Sequence, residues 1–158
     1  MQVEDARPNA VSVISPDAQS VDPDLDVITM AVKVPQTLAH LHYWSVRMPR
    51  NASRDEVLDA FRASSRIALI KMSEGLGALN AVKEMMADLG RPNDSLYEVA
   101  LWEDMLTVRG DELFYAYMVD NQAIVIPEVI DAIRALTDSG TGQEASIART
   151  NTALDIGA

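Results

Sequence analysis

At 158 residues the chain is sized for one domain with a real core, and 48% hydrophobic against 23% charged residues lies in the globular range. The formal net charge of −11, from 24 acidic and 13 basic residues, would repel nucleic-acid phosphates, so neither DNA nor RNA is an expected partner. The lack of any cysteine excludes disulfides, thiolate metal sites and a cysteine nucleophile within these residues, and no apolar run approaches the roughly 18 residues of a membrane span.

Pro8, Pro16 and Pro23 forbid a continuous helix in the acidic opening, 1–24, which reads as an extended lead-in with 10–14 as its one short strand. It has no basic segment followed by an apolar one, so no secretory leader is expected and a cytoplasmic location is the simplest reading. VITMAVKVP (27–35) and HYWSVRMP (42–49) are rich in β-branched and aromatic residues and each ends in proline, which predicts a long, bent pair of strands. Ser53 with Glu56 three residues on has the pattern of a capping box, and Val57, Leu58 and Phe61 follow at helical spacing, predicting a helix over 54–63. RIALIKM (66–72) reads as a buried strand. After Gly75 and Gly77, Leu79, Val82, Met86 and Leu89 form the stripe of a second helix that Gly90 and Pro92 end. Residues 97–102, 105–109 and 113–119 are strand-like, the last two joined across Gly110-Asp111 as a hairpin. Pro127 stands where a first helical residue belongs, opening a third helix that stops near Gly140. A weaker helix spans 144–154. Strands joined by hairpins and mixed with helices predict an α+β fold, a mixed, largely antiparallel sheet with helices packed on one face.

Chemistry concentrates in AVKVPQTLAHLH (31–42), where Lys33, Gln36, Thr37 and the two histidines, His40 and His42, fall within one short stretch. In an extended segment His40 and His42 share one face, and Lys33 and Thr37 share a parity with each other. An imidazole there suits general acid–base work near neutral pH, and a lysine suits an anionic phosphate. The competing reading is a pair of histidines that only hydrogen-bond in a core or face solvent. A two-histidine metal site is a third, with no further ligand implied by spacing. Acids and aromatics crowd 97–136, but Glu98, Glu103, Asp104, Asp111, Glu112 and Asp120 read mostly as solvated charges at strand edges and turns. Trp102, Phe114, Tyr115 and Tyr117 read as sheet packing. Gly75-Leu76-Gly77 lacks a third glycine and is not expected to sit in a β-α unit, so no dinucleotide loop is present.

The order of these pieces carries a resemblance. AVKVPQTLAHLH, followed by a charged helix and then SLYEVALWEDMLTVRGDELFYAYMVDNQAIVIPEVIDAIRAL (95–136), resembles the second half of the type II, archaeal glyceraldehyde-3-phosphate dehydrogenases, and TNTALDIGA (150–158) resembles their C-terminal end. The similarity covers 24–158, and the acidic excess with scarce lysine suggests a haloarchaeal member.

The resemblance implies a dehydrogenase C-terminal catalytic domain over 25–158, with the nucleotide-binding domain and the nucleophilic cysteine expected upstream of this sequence. In that family a thiolate attacks the aldehyde of glyceraldehyde 3-phosphate, hydride passes to NAD or NADP, and phosphate releases the acyl group. The family's H-x-H pair supplies the catalytic histidine, which implies His40 or His42. Lys33, Gln36 and Thr37 are implied as substrate or phosphate contacts. NAD or NADP is not expected to bind these residues alone, and a homo-oligomer or association with a nucleotide-binding half is implied. Gln36 and Ala39 stand where the family more often has threonine and methionine, and Asp120-Asn121-Gln122 replaces a family H-Q-E. The alternative from another class is a non-catalytic structural or oligomerisation domain built on the same fold.

Overall fold

The computed structural model describes residues 20–24, 26–27, 39–137 and 140–157. The chain divides into two units, 1–35 and 36–158. In the first, the Asp24 amide donates to Asp22 Oδ1 at 3.1 Å. The expected strand at 10–14 and all but the first residue of the extended segment at 27–35 lie outside the described residues.

Among its described residues the second unit carries a five-stranded sheet of β1 (Ala39–Arg47), β2 (Ile67–Ile70), β3 (Val99–Trp102), β4 (Thr107–Arg109) and β5 (Glu112–Asp120). Strand order is β1-β5-β3-β2, with β4 also pairing β5. β1 runs antiparallel to β5 along its whole length, from Ala39 opposite Asp120 to Arg47 opposite Glu112. β3 and β4 are also antiparallel to β5, whereas β2 is parallel to β3. This is the mixed, largely antiparallel α+β sheet expected from the sequence. Gly110 closes the β4–β5 hairpin with φ +65°, a left-handed conformation in which a side chain would be strained.

Among the described residues of this unit, four helices accompany the sheet: α1 (Arg54–Arg62), α2 (Leu79–Asp88), α3 (Val125–Thr137) and α4 (Gln143–Leu154). α1 starts where the sequence signal places it, because the Glu56 amide donates to Ser53 Oγ at 3.2 Å and Ser53 N–H donates to Glu56 Oε2 at 2.7 Å. α2 stops as its glycine signals, with Gly90 at φ +77° donating to the Ala87 carbonyl at 2.8 Å. α3 begins two residues before Pro127, which is fully buried. A proline in the first turn forfeits no intrahelical hydrogen bond, so the earlier start costs little.

The two central helices meet opposite faces of the sheet, which corrects the expectation of helices packed on one face. Val82 and Met86 of α2 pack with Ile70, Ala100, Trp102, Ala116 and Met118. Val57 and Leu58 of α1 pack with Leu101, Leu106 and Leu113 on the other face. Strand alternation explains the division, since Ala100 and Leu101 point oppositely and each side of β3 is buried. Leu58, Val82, Leu101 and Met118 are fully buried, each contributing about 1.5–3 kcal/mol relative to exposure.

Ion pairs fasten the remaining helices to this sheet. Arg66, at the start of β2, reaches Glu128 and Asp131 of α3 and donates to Asn151 Oδ1 of α4 at 3.2 Å. Arg91 clasps Glu98 with both guanidinium nitrogens and donates to the Asp155 carbonyl at 2.8 Å. Glu98 and Asp120 therefore depart from the expectation of solvated charges, being only 5% and 2% exposed. Each is compensated by a cation from another element, Arg91 or Lys83, which spacing alone does not reveal.

Candidate acid–base site

His40 and His42 stand on the same face of β1, as alternation requires, with ring centroids 6.0 Å apart and planes at 64°. Their surroundings differ. His42 lies opposite Tyr117 in the β1–β5 register and stacks on its ring at 4.8 Å and 13°. Tyr117 is held in turn by Trp44, whose Nε1–H donates to the phenol oxygen at 3.1 Å. Tyr115 stacks beyond Tyr117, and Phe61 of α1 tilts against Tyr115 at 5.5 Å. This row makes His42 the inner, half-buried end of an aromatic layer. Burial, and then the neighbouring His40, lower the His42 pKa below the ordinary 6.5, which favours the neutral ring. Burial likewise raises the phenol pKa values of Tyr115 and Tyr117.

His40 is exposed, and its Nε2 lies 3.2 Å from the amide nitrogen of Asn121. Asn121 is delivered by the turn that ends β5. Asp120 Oδ1 accepts from the amides of Gln122 at 2.9 Å and Ala123 at 3.0 Å, and its other oxygen pairs with Lys83 of α2. Burial pushes the Asp120 carboxyl up, but the Lys83 contact and the two amides outweigh it and hold the pKa below the ordinary value. Sequence reading passed over Asn121 and Tyr117 as partners of the histidines, because both depend on a pairing between segments more than seventy residues apart.

Lys33, Gln36 and Thr37 lie outside the described residues. Among the described residues, no group of three or more His, Asp or Glu side chains is placed to hold a metal ion, and no helix is long and apolar enough to cross a membrane.

The glycine pair of the β2–α2 loop was not expected to lie in a β-α unit, yet β2, α2 and the parallel β3 form one. The strand and the helix on either side of the loop were both expected, and the expectation failed because the parallel pairing of β2 with β3 depends on segments about thirty residues apart. The loop still carries only two of the three glycines of the dinucleotide pattern. A Cβ added at Gly75 would meet nothing, and one at Gly77 would touch only the Met72 side chain. Trp102 Nε1–H also pins the loop through the Leu76 carbonyl at 2.7 Å.

No family model matches the chain. Among curated proteins it is 41% identical over 152 residues to glyceraldehyde-3-phosphate dehydrogenase of Methanopyrus kandleri, a match covering 94% of the chain and 43% of the relative. The protein of the same name from Pyrobaculum calidifontis is 45% identical over 136 residues, covering 84% of the chain and 40% of the relative. That of Haloarcula marismortui is 36% identical over 158 residues, covering 98% and 45%. The chain thus spans less than half the length of the curated relatives it matches, and over most of its own length it is similar to one stretch of archaeal proteins named glyceraldehyde-3-phosphate dehydrogenase.

Proposed function

We propose that these residues form the C-terminal catalytic-domain portion of a glyceraldehyde-3-phosphate dehydrogenase, with His40 as the acid–base group. The observation that carries the reading is the 41% identity to the Methanopyrus kandleri protein across 94% of the chain. Exposure of His40 beside a stacked, half-buried His42 favours His40 as the ring that meets substrate. A neutral imidazole there accepts a proton from a thiol or from a tetrahedral adduct and returns it later, work worth about 10²–10⁴-fold in rate. His42 stays neutral and packs the strand that presents His40.

Lys33, Gln36 and Thr37 are assigned to glyceraldehyde 3-phosphate or inorganic phosphate, Lys33 as the point charge. These 158 residues contain no cysteine, so the nucleophilic thiolate is assigned to polypeptide outside them. The β2–α2 loop lacks the third glycine of the dinucleotide pattern, which supports assigning NAD or NADP outside them as well. The test is complementation: the chain is combined or fused with the preceding portion of the Methanopyrus kandleri protein, and NAD(P)H formation from glyceraldehyde 3-phosphate and phosphate is followed. Turnover by the combination and none by the chain alone is the expected result. Equal turnover without the added portion would overturn the reading.

A second reading, a structural or oligomerisation domain, draws on one further feature. Leu41 and Tyr43 of β1 and Phe114 of β5 share a face of the sheet and are exposed, Tyr43 by 71%. Apolar surface next to a strand edge that is unpaired among the described residues favours association with a second copy.

A further inference from the structure

A neutral imidazole has one N–H donor and one bare nitrogen, and the hydrogen bond made by either nitrogen decides which one carries the proton. His40 meets this rule at Nε2, where Asn121 presents an amide nitrogen, a donor with nothing to accept, at 3.2 Å. A donor aimed at Nε2 leaves that nitrogen bare and puts the ring proton on Nδ1. We propose that Asn121 is a positioning residue for His40, orienting the ring from the end of β5 and setting its neutral tautomer with the proton on Nδ1, so that Nε2 takes a proton as the Asn121 amide turns away from it.

The support under Asn121 fits this role. Asp120 is buried, paired with Lys83, and folds the chain after β5 by accepting from the Gln122 and Ala123 amides. Ile124 N–H closes the same turn on the Asp120 carbonyl at 3.0 Å. Asp120 lies opposite Ala39 in the β1–β5 register, so the turn rises directly beside His40. Asn suits this place better than an acid or a hydrocarbon. Its amide donates to the neutral ring, and after rotating about its last bond it accepts from the Nε2–H of the imidazolium through Oδ1. One side chain thereby serves both states of a proton-transfer cycle. Asp at this position would only accept, and Ala would do neither.

The inference rests on His40 being the acid–base group, but its test does not use activity. The 158-residue chain is labelled with ¹⁵N at histidine, and the imidazole nitrogen shifts are recorded at a pH where both rings are neutral, with His42→Gln used to assign the signals. In the native chain His40 Nε2 is expected to show the bare, pyridine-type shift and Nδ1 the protonated, pyrrole-type shift. Asn121→Ala should release this bias, and Asn121→Asp should reverse it to the Nε2–H form, with the His42 signals unmoved in both. A native His40 in the Nε2–H form, an unchanged tautomer in Asn121→Ala, or an equal change at His42 would overturn the proposal. If the tautomer follows Asn121 while the complemented enzyme ignores loss of His40, the functional reading fails and the positioning role stands.

Discussion

Asp131 is the hub that joins α3, α4 and the start of β2, and Asp131→Asn removes its charge with almost no change in volume. Its Oδ1 accepts from Ser146 Oγ and Thr150 Oγ1, each at 2.7 Å, and from Arg134 at 3.0 Å, while Oδ2 pairs with Arg66. Burial alone would raise its pKa. The two hydroxyls and Arg66 outweigh burial and bring it from 3.8 to about 2. At 1.36 kcal/mol per unit the shift corresponds to about 2.4 kcal/mol. Solvent around the helix pair screens this to about 1–2 kcal/mol. The Asn oxygen can keep the Oδ1 donors, but an amide NH2 then faces Arg66 in place of Oδ2, which brings the expected loss at pH 7 to about 2–3 kcal/mol. A depressed carboxylate stabilises above its unfolded pKa near 3.8 and loses that contribution as pH falls towards 2. Urea unfolding of both proteins at pH 7 and pH 3 checks the expectation, the gap narrowing at the lower pH. A gap below about 0.5 kcal/mol at pH 7, the ordinary range of a surface change, or one that does not narrow, would refute the reasoning.

His42 gives a prediction of the same sense in a higher pH window: with its folded pKa below 6.5, the neutral ring contributes fully above that value and the contribution is lost as pH falls through the folded pKa. Between pH 8 and pH 5, His42→Phe should lose less stability to urea than the native chain, and equal losses would contradict the burial argument. The exposed Tyr43 face predicts concentration-dependent association that Tyr43→Lys weakens, read by sedimentation, and a native chain monomeric at all concentrations would count against it. With a net charge of −11, molar salt should raise the urea midpoint by screening self-repulsion, and a midpoint indifferent to salt would remove the salt-adapted reading.

Local signals were legible where a few adjacent residues settle the outcome. Ser53 with Glu56 placed the start of α1, Gly90 the end of α2, and Gly110-Asp111 the β4–β5 hairpin. The shared face of His40 and His42 followed from strand period alone. What the sequence concealed depends on pairing at a distance. Nothing in 39–47 specifies that Tyr117 will lie opposite His42 or that Asn121 will reach His40, since both require the β1–β5 register. The burial of Asp120 was hidden because Lys83, thirty-seven residues away, comes from α2. The same distance effect divided α1 and α2 between two faces, because each strand of β3 and β5 presents apolar residues on both sides.

The central claim is that His40, not His42, exchanges the proton, and single substitutions in the complemented enzyme test it most directly. His40→Ala should lower kcat by about 10²–10⁴-fold with the fold intact, the span of a lost general acid or base. His42→Ala should act mainly through stability, leaving kcat within about tenfold at a temperature where the variant stays folded. An enzyme that keeps full turnover without His40, or that loses it only with His42, would contradict the account.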